Sequence, residues 1–562
     1  MGIFNFFKFF RDRFTDKIYR INTSVRSEVY IDIDNLMIDM NGLFHTSAQK
    51  IFKYGNFKPY GDVKITITND YTNQKRVYAD VCYTIEKILI TVNPNKRLIL
   101  CVDGSAPIAK QLQQARRRYV SSLTREDTDD SFDSNCISPG TKFMDGMNRF
   151  IDGYIKRKLA EDPLWQNLEV IFSNDKVEAE GEHKIQSYVR RYGKPNETFM
   201  IHGLDSDLIM LSLISHCSHF YVLRDDTFDK TNNFLLLDMP KIRPQIIDYM
   251  RWECTVLDDD DKPVYKFNDM WAINDFVFLC FMVGNDFLHH VPALEIVEGG
   301  IDVIIDCCKT VCSTHGHITR NTDGKVIFSP KSIAMFFDGI ASYEKELLEK
   351  KMVNRRFYFP DEVLIQSVTF NDKTMIYEAD MEKYRELYCR HHFGGGTDMM
   401  PICHEYLDGL QWVLHYYTTG VADWTWFYRY HYTPPAQLIA LSLPTYIPKV
   451  FRKNKPLLAY QQLLYILPHK SAGLLPAPLD DVLRNYKPKE AEVKIDLSGK
   501  RYEYQGVVLL PFMDLKMILN LYKKHYEKVG EVDKKRNYFG KTFVYKYNAT
   551  ARNSVSLNYI DI

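Results

Sequence analysis

Seven acidic residues stand where an apolar run gives way to a polar loop. Asp39 follows the run in LMIDMNG (36–42), Asp103 closes RLILCVDG (97–104), and Asp286 lies in FMVGNDFLHH (281–290). Glu180 and Glu182 are two apart in EAEGEHKI, as are Asp205 and Asp207 in GLDSDL. On extended backbone, residues two apart project to the same side, so each pair aims both carboxylates at one point. Hard divalent cations take such oxygen ligands. Two of them, roughly 3.5–4 Å apart, activate a water and stabilise the leaving oxygen of a phosphodiester. Without cations the acids would repel one another and raise their own pKa values. A single Asp at a strand end often does no more than cap the next helix. Seven of them, two pairs included, point instead to metal-assisted phosphate chemistry, although acidic-x-acidic pairs alone also fit phosphatases and glycosyltransferases.

Just after Asp103 comes GSAPIAKQLQQARRRYVSS, with Lys110, Gln114, Arg117 and Arg118 at i, i+4, i+7 and i+8. That spacing gives the four one helical face. Two guanidinium forks, an ammonium and an amide suit a terminal phosphate, which carries more charge and more free oxygens than an internal diester. A solvated basic face is the plainer reading of such a helix. Its start a few residues after a metal-type Asp favours the phosphate pocket.

The elements that would position these groups follow from apolar patterning. LMIDMNG, RLILCVDG, LEVIFSND (168–175) and TFMIHGLDSD (198–207) read as buried strands running into polar loops. Helical patterns at 143–159 and 183–192 alternate with them, which predicts an α/β fold with a largely parallel sheet. In such sheets ligands bind beyond the carboxyl ends of the strands, where these acids fall. Residues 122–135 and VLDDDDKP (256–263) read as acidic surface loops. From 301 to 390 the pattern is helical and charged, and an aromatic-rich, mainly helical block runs on to about 547. The expected organisation is a core over 1–300, a connecting segment over 301–390, a second region over 391–547 packed on the site, and a tail over 548–562.

Composition constrains the partner. With 72 basic and 72 acidic residues the net charge is zero, so any nucleic-acid role must rest on local basic clusters. The eleven cysteines include no Cys-x-x-Cys pair, which suits a reducing compartment. Cys307, Cys308, Cys312, His315 and His317 fall close together, but their spacing matches no usual zinc pattern, and a helix with buried thiols is expected. The opening MGIFNFFKFFRDRF is too short and too charged for a signal peptide or a membrane span. A soluble intracellular protein is expected, cytoplasmic because no compact basic import run stands out.

On these motifs the chain resembles the XRN family of 5′→3′ exoribonucleases. MGIFNFFKFFRDRF, IDNLMIDMNGLFH, VDGSAPIAKQLQQARRR, FDSNCISPGTKFM, EAEGEHKI, HGLDSDLIMLSL and DFVFLCFMVGNDFLHHVP carry the likeness through the first half. GLQWVLHYYTTGVADWTWFYRYHYTPP, PLLAYQQLLYILPHKSAGLLP and RYEYQGVVLLPFMD continue it. The resemblance implies a nuclease core related to flap endonucleases and PIN-like domains. Two Mg²⁺ or Mn²⁺ ions would be held by the seven acids, and the 5′-monophosphate of single-stranded RNA by Lys110, Gln114, Arg117 and Arg118. It implies that His45 stacks on the terminal base, with Trp424 or Trp426 as its partner. It also implies a monomeric catalytic core for RNA decay, without the long carboxyl-terminal extensions, and decapping factors as partners by analogy. Such a compact version fits either a divergent unicellular organism or a large virus, and in the latter case it would work in the viral factory or virion. The sequence departs from the family pattern at Phe4 (usually Pro), at Tyr504 (commonly Trp), and at Val177-Glu178-Ala179 in place of Val-Pro-Gly. Glu178 thereby adds a carboxylate beside the site. Two rival readings are a flap-type DNA nuclease and a catalytically silent RNA-binding scaffold.

Overall fold

The computed structural model describes residues 3, 5–22, 31–59, 67–123, 131–227, 233–354, 359–548 and 554–562. Phe4 and residues 124–130 of the expected acidic loop lie outside them. Two compact units divide the chain, each assembled from separated stretches, so the linear boundaries at 300, 390 and 547 do not coincide with them.

The first unit comprises Met1–Thr15, Lys241–Asn454 and Val493–Pro511 and is mainly helical. It opens with α1 (Phe6–Arg13), which buries Phe6 and Phe10. Longer helices span Gly300–His315, Pro330–Asn354 and Met399–Thr418. The first of them buries Cys307, Cys308 and Cys312, as expected of a thiol-bearing structural helix. The neighbouring Asp275 carboxylate is satisfied by protein donors: Thr319 N at 2.7 Å, Thr319 Oγ1 at 2.6 Å and His317 Nδ1 at 2.7 Å.

The second unit comprises Asp16–Pro240, Lys455–Glu492 and Phe512–Ile562 and is built on a nine-stranded sheet. Its first seven strands are β1 (Ile18–Ile21), β2 (Asn35–Asp39), β3 (Arg97–Cys101), β4 (Glu169–Ser173), β5 (Phe199–His202), β6 (Phe220–Asp225) and β7 (Phe234–Leu237). The central order β6-β5-β2-β3-β4 is parallel throughout. Antiparallel strands finish both edges: β7 and β1 on one side, Thr542–Asn548 and Ser554–Ile560 on the other. Leu36, Met37 and Ile38 of β2 and Leu98, Ile99 and Leu100 of β3 are all buried, the continuous apolar run a two-sided parallel sheet requires. The expected α/β class with a parallel centre is what the chain adopts.

Helices cover this sheet: α2 (Met40–Phe52), α3 (Tyr71–Val92), α4 (Ile108–Leu123), α5 (Lys142–Glu161), α6 (Pro163–Gln166), α7 (Gly181–Tyr192) and α8 (Asp207–Ile214). Local chemistry sets their starts. Thr141 caps α5 by accepting from Met144 N, and Asp70 caps α3 by accepting from Asn73 N. Pro107 precedes α4 and lends its carbonyl to Gln111 N at 2.9 Å. At the amino ends of the strands, Arg97 pins three elements through Glu197 (3.0 Å), Glu169 (3.1 Å) and Asn35 (3.0 Å).

Part of the aromatic-rich second block folds into this unit. Gln462 Oε1 accepts from Ala106 N at 2.9 Å, and Tyr119 Oη donates to Pro488 O at 3.1 Å, fastening residues 455–492 to α4. Within the segment expected as a tail, Ser554–Ile560 forms the sheet-edge strand.

Candidate active site

The sheet places six of the seven acids at one end. Asp39 is the last residue of β2, Asp103 follows β3, and Asp205 follows β5. Glu180 immediately precedes α7, Glu182 lies in its first turn, and Asp207 opens α8. β3 and β4 lie on one side of β2, while β5 and β6 lie on the other. The order therefore reverses between β2 and β5, which opens the crevice such sheets use for ligands.

The two acidic pairs are not on extended backbone, as the spacing had suggested. Each straddles the junction of a loop and a helix. In each pair the second acid lies in the first turn of its helix, α7 or α8, so helical backbone has begun by then. Helix amino termini carry partial positive charge, which favours acids there.

A short network fixes the geometry. Asn41 Nδ2 donates to Asp103 Oδ2 at 2.8 Å, and Asn41 Oδ1 accepts from Asp103 N at 3.0 Å. Gly181 N donates to Asp103 Oδ1 at 2.7 Å. A Cβ on Gly181 would sit 2.6 Å from Asp39 Oδ1, so only glycine lets α7 start this close to the acids. At Gly104 a Cβ would fall 1.6 Å from Val177 O, a clash with backbone. Buried Lys184 donates to Val102 O (2.6 Å) and Asn174 O (2.8 Å), tying together the exits of β3 and β4.

Oxygens of Asp39, Glu182 and Asp205 all lie within 4.8 Å of one another. At an effective dielectric near 20, each pair of charges about 4 Å apart repels by about 4 kcal/mol. Burial, then Asp103 and Asp205, push the Asp39 carboxyl well above its usual range. Burial, then Glu180, do the same to Glu182. Asp39 Oδ1 and Glu182 Oε2 are buried without a hydrogen-bond partner among the described residues. All-oxygen donors, mutual repulsion and unpartnered buried oxygens fit a hard divalent cation. Glu178, half-buried beside them, contributes to the negative surroundings of Lys184.

The basic face lies in the same unit. Lys110 Nζ is 2.6 Å from Glu180 Oε1, so one of its donors is engaged by the acids. Gln114 is buried with Oε1 unpartnered, and Arg117 is exposed. Arg118 donates to Ser138 Oγ at 2.7 Å while its Nε has no partner. His45 in α2 lies within the fields of Arg117, Arg118 and Asp205. Burial and the two guanidinium groups hold its pKa down to about 4, so the ring is neutral at neutral pH.

Asp286, Trp424 and Trp426 belong to the other unit. Asp286 is half-buried at a tight turn in which Asn285 Oδ1 accepts from Phe287 N and Leu288 N, both at 2.9 Å. Trp426 is 7% exposed and stacks on Trp412 with centroids 5.3 Å apart. Trp424 is half-buried, its backbone N–H held by Asn454 Oδ1 at 2.7 Å.

Sequence reasoning overlooked Asn41, Gly104, Gly181 and Lys184. Asn41 stands two residues after Asp39, and Gly181 between the two glutamates. Those spacings carried a signal that an inventory of acids passes over.

Comparison with known proteins bears on this arrangement. The model of the XRN 5′-3′ exonuclease N-terminus matches residues 1–226, and that of the Xrn1 helical domain matches 266–387 and 381–560. The chain belongs to the XRN 5′-3′ exonuclease family. It is 27% identical to 5′-3′ exoribonuclease 1 of Homo sapiens, over 96% of this chain and 35% of that protein. With 5′-3′ exoribonuclease 1 of Saccharomyces cerevisiae it shares 26% identity, over 98% of this chain and 45% of that protein. The chain thus spans less than half the length of these two relatives. Among solved structures, the catalytic core of Rad2 in complex with DNA substrate matches with a TM-score of 0.33 and 11% identity, over 69% of this chain and 86% of that one.

Proposed function

We propose that this chain hydrolyses single-stranded RNA bearing a 5′-monophosphate, one nucleotide at a time from the 5′ end, and releases nucleoside 5′-monophosphates. The observation that carries the reading is the Asp39–Glu182–Asp205 oxygen cluster in the same unit as the Gln114–Arg118 face, with His45 electrostatically coupled to both. Membership of a family whose named relatives are 5′-3′ exoribonucleases supports it.

Asp39, Glu182 and Asp205, with Asp103, Glu180 and Asp207 as further ligands, would hold Mg²⁺ or Mn²⁺, two ions in the fullest form. Bound there, such a cation polarises the scissile phosphate and lowers the pKa of water. The chain's own groups do the rest. Asn41 and Gly181 N–H fix the Asp103 carboxylate, and Lys184 holds the strand exits in register. Arg117, Arg118 and Gln114 grip the terminal phosphate, with Lys110 linking that grip to the acids. Neutral His45 offers a ring face to the terminal base. Monomeric action in the cytoplasm, alongside decapping factors, belongs to the same proposal.

The test compares RNAs with 5′-monophosphate, 5′-hydroxyl and 5′-triphosphate ends, with and without Mg²⁺, and identifies the products. Stepwise release of mononucleotides from the monophosphate substrate alone is expected. Equal rates on all three ends would remove the phosphate pocket. Preferential cutting of a labelled DNA flap would replace the reading with a structure-specific DNA nuclease. Tight RNA binding without turnover would favour the scaffold.

A further inference from the structure

The sheet unit carries a second feature that the proposed chemistry does not use: a cleft of about 910 Å³ between α3, α5 and residues 532–536. It is strongly cationic for a chain of zero net charge. Lys75, Lys142, Arg149, Lys535 and Arg536 line it, against only Asp145 and Asp533. Both acids are already spoken for: Asp145 pairs with Arg149 at 3.0 Å, and Asp533 pairs with Arg536. Lys75, Lys142 and Lys535 are exposed and have no ion-pair partner among the described residues.

Aromatic surface accompanies the charge. Tyr71 at the mouth is 66% exposed, with Lys75 Nζ 4.4 Å from its ring centroid. Tyr78 forms part of the floor, held by its hydroxyl donating to Phe143 O at 3.1 Å. Exposed lysines beside an exposed ring are what an unpaired nucleic-acid strand requires: cations for successive phosphates and flat faces for bases.

The cleft is anchored to the catalytic end of the sheet. Asp175, two residues past β4, accepts from Gly140 N (3.1 Å) and Asn148 Nδ2 (2.5 Å) at the start of α5. Arg536 Nη1 donates to Gly140 O at 2.7 Å, and Lys176 Nζ donates to Arg536 O at 3.2 Å. The cleft wall and the loop leading to Glu180 are therefore one hydrogen-bonded assembly.

From this we infer that the cleft is a second RNA site, which binds the single strand at a distance from its 5′ end through phosphates and stacked bases without sequence preference. The inference rests on the exoribonuclease reading and names a further surface for the same substrate. A folded RNA helix is disfavoured because its bases are not available to Tyr71.

The test uses the full chain with Lys75, Lys142 and Lys535 all changed to Ala, and separately Tyr71→Ala; all four positions are exposed. Binding of 5′-monophosphate RNAs of about 4 and about 20 nucleotides is measured in EDTA across a salt titration. For the longer RNA, affinity is expected to fall at least about tenfold in each variant. The salt slope of the triple variant should drop by about 2, near 0.7 per lost phosphate contact. The short RNA should bind unchanged, and with Mg²⁺ only the longer substrate should show a raised KM at constant kcat. Unchanged long-RNA affinity and slope would overturn the inference and leave the cleft to another ligand, such as an acidic protein. Equal weakening of both RNAs would overturn it too, as a general charge effect. Because the EDTA measurement needs no turnover, its outcome is separate from whether wild type degrades RNA at all.

Discussion

Lys110 Nζ lies 2.6 Å from Glu180 Oε1, with both side chains almost fully removed from solvent. A residue expected to grip phosphate is thus also a counter-ion to the acidic cluster. Removing one partner of a buried pair costs about 3–5 kcal/mol, because the other charge is stranded. Lys110→Met should therefore lower the melting temperature in EDTA, and Mg²⁺ should restore much of the loss by supplying the missing positive charge. Calorimetry with and without Mg²⁺ checks this; an equal drop under both conditions would mean that the pair is purely structural.

Arg118 keeps more donors for a substrate than Lys110 does. Hydrogen bonds to charged groups contribute about 1.5–3 kcal/mol. Arg118→Ala should cut the preference for 5′-monophosphate over 5′-hydroxyl RNA by roughly 10- to 100-fold, and kcat/KM on the two ends measures it. Activity on the hydroxyl substrate should change little.

Burial, with Asp103 beside Asp39 and Glu180 beside Glu182, raises both carboxyls. The folded chain then binds these protons more tightly than the unfolded chain does. Metal-free stability therefore declines as pH rises from the ordinary carboxylate range toward the raised folded values. Asp39→Asn and Glu182→Gln should melt higher than wild type in EDTA at neutral pH, yet lose turnover and the stabilisation by Mg²⁺. Thermal melts over a pH series, paired with activity, test the opposition of the two effects.

His45 has the opposite sign. Burial, Arg117 and Arg118 depress it to about 4. Its contribution is fully present above its unfolded pKa near 6.5 and is lost as pH falls toward 4. A neutral ring that stacks can be replaced by another ring. His45→Phe should keep turnover within about threefold, whereas His45→Ala should lose about tenfold or more in kcat/KM, given 1–3 kcal/mol per stacked base. If Phe is as damaging as Ala, imidazole nitrogen chemistry is required instead.

Ala179 adopts φ +78°, in the region that glycine tolerates and other residues pay for by roughly 1–2 kcal/mol. Ala179→Gly should stabilise the chain by up to about 1 kcal/mol after the extra unfolded-state entropy is counted, with unchanged turnover. Urea denaturation reads this directly.

Much of the fold was legible because parallel strands buried on both faces leave uninterrupted apolar runs, as in NLMID and RLILC. The acids at their ends could be picked out for the same reason. The antiparallel edge was not legible: Thr542–Asn548 alternates weakly and lies hundreds of residues from β4, which it pairs. Nor was the assignment of 455–492 to the sheet unit, since its attachment rests on single polar contacts such as Gln462 to Ala106. Trp424 and Trp426 are indistinguishable in sequence, and only the stack with Trp412 separates them. Lys184 was passed over because nothing in its spacing says that its ammonium binds two carbonyls.

Gly104 offers a different lesson. The backbone of one strand exit rests on that of the next, with no room for a single extra carbon. Any side chain at that position would wedge Asp103 and the Glu180 loop apart while leaving every acidic residue in place. A chain of this family could thus carry a full set of ligands and still be inert, so the reading of new members should check the hinge glycine alongside the acids.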